Sequence, residues 1–390
     1  MNASIARAPL VDWRELAIRG MHYSGALRLA RRISKSLELS RTSPLPLLNF
    51  HRAQAPRFLI LCYHGIGESG NPLIPSPSSD QFDAQMHFLR DNYRVLSLED
   101  LFRELSDPSS LEPGVAITFD DGYRSTYTQA FPILKKYQLP ATIYLIADPV
   151  ETGQVAWYDR VFSAMAYAPP EEFQVDLEGP WRFRLLSEES RLRSALEIVA
   201  FLRGLPNSIR EEYCARLEKT FCLPQDATSG KVLNWAEIRV MQKSGVTFGS
   251  HTMSHPVVSQ LSNAELEREL LDSKRYLEEK LGSPVRDFAY PFGKASDCGL
   301  TTTALLAKYG YRSAVTTLPG MNTPRVNRFE LRRIQVGHNS SLARFAFELA
   351  RAFLEHDGAE TANSLHAHAL STPQAPGSNG VGEAIESSRA

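Results

Sequence analysis

The chain has 390 residues, 43% of them hydrophobic, which is enough for one large domain with additions or for two smaller domains. Its 43 basic and 44 acidic residues leave a formal charge of −1, so the charge balance gives no support for nucleic-acid binding. Its four cysteines show no Cys-x-x-Cys spacing, which excludes zinc and redox motifs of that kind.

Residues 1–55 form a basic extension. Within it, residues 13–39 alternate apolar side chains with Arg and Lys, a pattern typical of a basic amphipathic helix. Such a helix either packs on the rest of the protein or makes peripheral contact with an anionic membrane surface. The extension lacks the apolar core of an export signal, and no stretch of the chain has the roughly 20 apolar residues that span a bilayer. We therefore expect a cytoplasmic protein, with the inner face of the membrane as the alternative location.

From Phe58 onward, segments with strand and helix patterns alternate, which predicts a parallel α/β sheet within one domain at residues 56–356. The alternation is interrupted at about residues 150–233, where a hairpin pattern and two helical patterns predict an inserted α+β segment beside the substrate groove. Residues 357–390 are rich in Ala, Ser, Gly and Pro, and we expect them to be disordered. The predicted strands are Phe58–Cys62, Arg94–Leu98, Val115–Phe119, Ala141–Ile146, Val246–Gly249, Val285–Tyr290, Arg312–Thr316 and Leu331–Val336.

Two adjacent carboxylates, Asp120 and Asp121, follow the apolar strand that ends at Phe119. Neighbouring buried carboxylates repel each other, so such a pair is explained by a bound cation or by different chemical roles for the two side chains. Asp121 can bind a divalent metal while Asp120 takes a proton from a water as general base. An ordinary Asp-Asp-Gly turn is the alternative explanation of these residues taken alone.

A second polar segment, Ser250-His-Thr-Met-Ser-His255, also follows an apolar stretch. A helix or a tight loop would bring His251 and His255 together, and with Asp121 they would form a metal site of two nitrogens and one oxygen. Open positions for water and substrate would make this a catalytic site. A surface or core histidine pair is the alternative for this motif alone.

Two further segments fit a hydrolytic site. Residues 286–293 run from Arg286 through a short strand to a Pro-Phe-Gly turn, where the arginine can pair with a carboxylate and the turn backbone can donate to an oxyanion. The strand at Phe58–Cys62 leads to His64 in a glycine-containing loop, a position suited to a general acid that protonates a leaving amine.

These motifs resemble those of the polysaccharide deacetylases with a nodulation-protein-B-like domain, also called carbohydrate esterase family 4. The matching residues are Thr118-Phe-Asp-Asp-Gly122, His251-Thr-Met-Ser-His255 and Arg286 to Pro291. The resemblance implies an irregular (β/α)7 barrel with its site at the carboxyl ends of the strands. It also implies that Asp120 is the base, that Asp121, His251 and His255 hold the metal, that Arg286 orients Asp120, and that the Tyr290 backbone amide helps to bind the oxyanion.

The chain departs from the family at two motifs. Many members carry a Leu-x-His motif near the end of the chain that supplies the general acid, and no clear copy is present here. The early Tyr63-His64 pair is similar to a permuted version of that motif, and His338 is the rival acid. The family's tryptophan-containing fourth motif has Trp157-Tyr-Asp-Arg160 as its nearest candidate, with a packing cluster in the insertion as the alternative.

We therefore expect a metal-dependent hydrolase that removes N-acetyl groups from an amino sugar in a polysaccharide, oligosaccharide or lipid-linked glycan. The alternatives are a deformylase or O-deacetylase on the same metal site, and a catalytically inactive carbohydrate-binding homologue. One divalent cation is expected; zinc is favoured, and iron, cobalt and nickel suit the same ligands.

Overall fold

The computed structural model describes residues 57–67, 71–107 and 113–354. The predicted basic extension at 1–55, its membrane-contacting helix at 13–39 and the predicted disordered tail at 357–390 lie outside these residues. In the described part of the chain, no helix has both the length and the apolar character needed to cross a membrane.

A seven-stranded sheet forms the centre of the molecule, and its neighbouring strands are all parallel, in the order β8-β7-β6-β3-β2-β1-β9. A separate antiparallel hairpin contains the other two strands. The strands are β1 (Phe58–Tyr63), β2 (Gly114–Phe119), β3 (Thr142–Leu145), β4 (Glu172–Asp176), β5 (Pro180–Arg184), β6 (Thr247–Ser250), β7 (Asp287–Ala289), β8 (Ser313–Val315) and β9 (Ile334–Gln335).

The two edges of the sheet meet the same segment of chain. Leu331 makes a parallel bridge to Val315 of β8, and a few residues later Ile334 and Gln335 pair with Leu61 and Cys62 of β1. The sheet therefore curls towards closure, as the irregular (β/α)7 barrel predicted from the sequence requires. This fold prediction is confirmed.

Helices connect successive strands, as expected for parallel pairs. Several begin at a side-chain cap; for example, Ser262 and Glu265 form a capping box at the start of α9. The helices are α1 (Ser79–Asn92), α2 (Leu98–Leu105), α3 (Phe131–Tyr137), α4 (Ala147–Thr152), α5 (Trp157–Tyr167), α6 (Glu188–Leu202), α7 (Asn207–Thr220), α8 (Trp235–Lys243), α9 (Asn263–Glu267), α10 (Ser273–Leu281), α11 (Leu300–Lys308) and α12 (Leu342–Leu354).

One of the predicted strands does not form. The segment Arg94–Leu98 contributes a single parallel bridge, from Val95 to Val115. The Ser97 side chain accepts a hydrogen bond from the Asp100 amide and starts α2 at Leu98, so the helix begins before a strand can extend.

The alternation of side chains along the strands positions the site. Phe58 and Ile60 of β1 pack in one apolar cluster with Ala116 of β2, whereas Leu59 and Leu61 pack in the larger cluster that faces the helices. Because alternate residues share a face, Cys62, Thr118 and Asp120 follow on the inner face as the strands reach their carboxyl ends.

The segment predicted as an insertion, at about residues 150–233, contains α5, the β4–β5 hairpin, α6 and α7. Its apolar side chains form a cluster of their own, including Val175, Phe183, Ile198 and Leu217. Trp157, the first residue of α5, belongs to this cluster and donates a hydrogen bond to the His255 carbonyl in the loop after β6. The second core therefore extends to the face of the sheet at which the strands have their carboxyl ends.

Candidate metal and catalytic site

Asp120 and Asp121 point in different directions because the backbone turns between them. The Asp120 amide still donates to the Tyr63 carbonyl at 2.9 Å, as in a strand, whereas Asp121 has a φ of +70°. Gly122 follows at +69°, and a Cβ there would lie 2.9 Å from a Leu145 methyl carbon. The glycine is therefore required both by its conformation and by the space around it.

Asp121, His251 and His255 converge on one point. The Asp121 Oδ1 atom lies 3.4 Å from Nε2 of His251 and 3.7 Å from Nε2 of His255. All three side chains are buried, and one ligand atom from each lies within 4.8 Å of the others. The Nδ1 atom of His251 lies 2.8 Å from the Ala289 carbonyl, an arrangement that leaves Nε2 as the coordinating nitrogen.

The charges of this group suit a cation. Burial raises the pKa of Asp121, but the hydrogen bond from His251 and the nearby histidines outweigh burial and lower it overall. Burial and the charge of His251 lower the pKa of His255 to about 3, which keeps that imidazole neutral. An ionised carboxylate and a neutral imidazole are the forms that bind metals.

The loop that carries the histidines is held from two sides. Glu269 accepts hydrogen bonds from the amides of Met253 and Ser254, at 2.8 and 2.9 Å, and from the Ser254 hydroxyl. Trp157 Nε1 donates to the His255 carbonyl at 3.1 Å. Sequence reasoning did not identify Glu269, since a glutamate on a helix gives no signal of a partner in a distant loop.

Asp120 is held by Arg333. Its two carboxylate oxygens accept hydrogen bonds from Nη1 and Nη2 of Arg333 at 2.7 and 2.6 Å, and Nε of the arginine donates to the Thr316 carbonyl at 2.7 Å. Both side chains are buried. Burial raises the pKa of Asp120, but the guanidinium charge outweighs this effect and the pKa is lowered. Asp120 is therefore an oriented carboxylate.

The prediction that Arg286 orients Asp120 is wrong. Arg286 is exposed and pairs with Glu99 at 3.4 Å. It precedes β7, at the amino end of the strand, whereas the site lies at the carboxyl ends. Arg333 was missed because it has no motif of its own; its one signal is the pair Arg332-Arg333 in the predicted strand Leu331–Val336, where neighbouring residues point to opposite faces.

The expected role of the Tyr290 amide is also wrong. That amide donates to the Val315 carbonyl at 3.1 Å, as a continuation of the β7–β8 pairing. Pro291 has no N–H group, so the next backbone donor along the chain belongs to Phe292. Phe292 has a φ of +59°, and its ring centroid lies 4.9 Å from that of His255.

The two candidates for the general acid lie in different surroundings. His64 is exposed, and one of its ring nitrogens lies within 4.8 Å of an Asp120 oxygen and of the Cys62 sulfur. His338 is partly buried, and its backbone carbonyl accepts a hydrogen bond from Gln81. The position of His64 beside Asp120 favours it, and its role stays a prediction.

The Trp157-Tyr-Asp-Arg160 segment begins α5 and lies directly against the metal-site loop. The Tyr158 ring is 4.7 Å from that of His255. Asp159 is fully buried and accepts hydrogen bonds from the Tyr123 hydroxyl at 2.6 Å and the Asn71 amide at 3.0 Å. Burial, aided by the charge of Asp121, raises the pKa of Asp159 to about 7.

Comparisons with known proteins agree with this site. A family model described as polysaccharide deacetylase matches residues 108–176 and 208–314. The chain is 23% identical over 288 residues to YxkH of Bacillus subtilis, a protein named as a polysaccharide deacetylase; the match covers 73% of this chain and 74% of that protein. It is 26% identical over 230 residues to a poly-β-1,6-N-acetyl-D-glucosamine N-deacetylase of Staphylococcus aureus, covering 55% of this chain and 74% of that protein.

The fold is similar to that of a solved deacetylase, PplD of Streptococcus pyogenes in complex with acetate. The TM-score is 0.52 at 23% identity, and the match covers 77% of this chain and 99% of that chain.

Proposed function

Because the chain belongs to the polysaccharide deacetylase family, we propose that it is a metal-dependent hydrolase that removes N-acetyl groups from an amino sugar and releases acetate. The observation that carries the proposal is the pair of adjacent carboxylates with separate partners, Asp121 with two histidines and Asp120 with Arg333. The name of the staphylococcal relative supports an N-acetylglucosamine glycan as the substrate class. The substrate is a polysaccharide, an oligosaccharide or a lipid-linked glycan.

The donor set fits a divalent cation. Two imidazole nitrogens and one carboxylate oxygen suit zinc, iron, cobalt or nickel. A cation held by Asp121, His251 and His255 would supply Lewis-acid polarisation of the acetyl carbonyl and would acidify a water molecule.

The protein's own groups then divide the proton transfers. Asp120 accepts a proton from the attacking water as a C–O bond forms. Arg333 donates to both of its oxygens and the Cys62 thiol also donates to Oδ2, so the second lone pair of Oδ1 takes the proton. The Phe292 amide donates to the oxyanion that develops on the acetyl oxygen. His64 gives a proton to the sugar nitrogen as the C–N bond breaks, so the products are acetate and a free amine.

The first test is the Asp120→Asn variant. The amide keeps the size of the side chain but cannot accept the proton at neutral pH, so we expect kcat to fall by about 10³-fold with little change in metal content. Acetate release from N-acetylglucosamine oligomers and metal content by mass spectrometry check this result. Asp83→Asn, which changes a surface carboxylate bonded to Lys136, is the control.

A variant that keeps substantial activity with the metal bound would show that Asp120 is not the base. The substrate panel also includes N-formyl and O-acetyl sugars, because a related deformylase or O-deacetylase would use the same metal site. Binding of sugars without release of acetate or formate from any of them would identify an inactive carbohydrate-binding homologue instead.

A further inference from the structure

Besides the contacts of Trp157 and Tyr158 with His255, the insertion reaches the candidate site at the turn that follows β7 and includes Phe292 and Asp297. Arg203, the first residue after α6, makes this contact. Its guanidinium carbon lies 4.3 Å from the centroid of the Phe292 ring, and its Nη2 atom donates to the buried carboxylate of Asp297. Arg203 of the insertion therefore contacts both Phe292, which lies beside the metal ligand His255, and Asp297, whose carboxylate accepts a hydrogen bond from the Lys294 amide of the same turn.

The backbone at this turn is strained. Among the described residues, seven other than glycine have positive φ, and four of these lie at the site: Asp121, Thr252, His255 and Phe292. Positive φ is unfavourable for residues with a side chain, and such a conformation persists only where surrounding contacts impose it. The contacts of Phe292 therefore determine where its backbone amide lies.

Those contacts come from two directions. On the barrel side, the Thr317 hydroxyl donates to the Phe292 carbonyl at 2.6 Å, and Gly293 packs so closely that a Cβ would lie 2.7 Å from the Thr317 nitrogen. On the other side, the Phe292 ring contacts His255, Trp157 and Arg203, with ring centroids 4.9 Å from His255 and 6.3 Å from Trp157. Of these three ring partners, Trp157 begins α5 at the start of the insertion, and Arg203 comes from its later part, directly after α6.

We infer that Arg203 is a positioning residue for the deacetylation site: it holds the Phe292 turn so that the Phe292 amide faces the acetyl oxygen. This inference rests on the proposed function and assigns a role to the insertion. Arginine suits the position because its flat guanidinium can stack on a ring and bond to a carboxylate at the same time, whereas a lysine ammonium stacks less well.

The test compares Arg203→Gln and Arg203→Lys with Arg216→Gln. Arg216 is a matched control, because it also stacks on an aromatic ring of the insertion, that of Tyr213 at 5.2 Å, and pairs with a carboxylate, Glu212. We expect Arg203→Gln to lower kcat about tenfold, since a displaced oxyanion donor affects the transition state more than substrate binding, with KM changed less than about twofold. Arg203→Lys should recover part of the loss, and Arg216→Gln should behave as wild type.

A second measurement does not depend on turnover. Protein labelled with ¹⁵N-phenylalanine is titrated with acetate, whose oxygens stand in for the acetyl oxygen, and the Phe292 resonance is assigned by its disappearance in Phe292→Leu. We expect the Phe292 amide of the metal-loaded wild type and of Arg216→Gln to shift with acetate, and the shift to be smaller in Arg203→Gln.

Equal behaviour of Arg203→Gln and Arg216→Gln in both measurements would overturn the inference. Failure of the proposed function is a distinct result: the wild type would release no acetate from any N-acetyl sugar. A Phe292 response to acetate that is lost only in Arg203→Gln would still support the positioning role in that case.

Discussion

The metal-binding side of the site and the side of the catalytic base are built differently, although their central residues, Asp121 and Asp120, are adjacent in the chain. Asp121 meets two histidines of one loop, His251 and His255. Asp120 meets Arg333, which is 213 residues away in sequence, and lies near His64 in the loop after β1. The group that can hold a metal is thus assembled from two short motifs, whereas the surroundings of the base depend on the closure of the whole barrel.

The two sides also lower the pKa of their carboxylates by different means. The histidines act on Asp121 through the hydrogen bond from His251 and through nearby charge, and a protonated His251 releases its proton when a cation binds. The guanidinium beside Asp120 keeps its charge at any working pH. The group around Asp121 is therefore suited to bind a metal, and Asp120 to remain an ionised, oriented acceptor.

The largest expected effect is the difference between replacing Arg333 and replacing Arg286, in both stability and turnover. Arg333→Met leaves the Asp120 charge buried without its partner, which we expect to lower the free energy of unfolding by about 3–5 kcal/mol and to abolish acetate release. Arg286→Met removes an exposed pair with Glu99, and we expect a change within about 0.5 kcal/mol and nearly normal turnover. Urea unfolding and kcat measure both effects.

The double variant Asp120→Asn/Arg333→Met controls for general damage. Because it has no unpaired buried carboxylate, it should unfold at higher urea concentration than Arg333→Met alone. A larger loss in Arg286→Met than in Arg333→Met would contradict the assignment of Arg333 as the partner of Asp120.

A third buried carboxylate shows what happens without a cationic partner. Within residues 57–67, 71–107 and 113–354, the donors to Asp159 are Tyr123 and Asn71, and burial raises its pKa to about 7. In the unfolded chain its pKa is near 3.9. Between these values the folded protein keeps a proton that the unfolded chain releases, so this carboxyl makes stability fall as pH rises from about 4 to about 7.

Asp159→Asn removes this titration while keeping the size of the side chain. From the difference in pKa we expect the wild type to lose up to roughly 4 kcal/mol more than the variant across that pH range. Unfolding of the metal-free proteins in urea at several pH values measures the difference. Parallel pH profiles for the two proteins would contradict the expectation.

The sequence predicted the metal-binding side of the site better than the surroundings of the base. Asp120, Asp121, His251 and His255 were found because each motif is contiguous and follows a strand, and parallel strands bring their carboxyl ends together. The barrel was predicted on the same grounds together with the family resemblance. Arg333 was not found, because its partner is determined by which strands close the barrel, and that closure has no local pattern.

The errors at residues 286–290 have a related cause. The prediction extended the strand from Val285 to Tyr290, but β7 spans only Asp287–Ala289. Arg286 therefore lies at the amino end of the strand, and the Tyr290 amide continues the sheet pairing. Composition indicates that a strand is present, whereas the residue at which pairing ends depends on the neighbouring strand.

The smallest of these three effects concerns the general acid. It contrasts His64, which follows β1, with His338, which lies near the end of the barrel. We expect His64→Ala to lower kcat by about 10²-fold, because the leaving amine then loses its proton donor. His338→Ala should change kcat by less than about threefold. The kcat values of the two variants decide between them: if His338→Ala loses about 10²-fold and His64→Ala changes little, the acid comes from the segment after β9, and both proton-transfer groups then depend on the closure of the barrel.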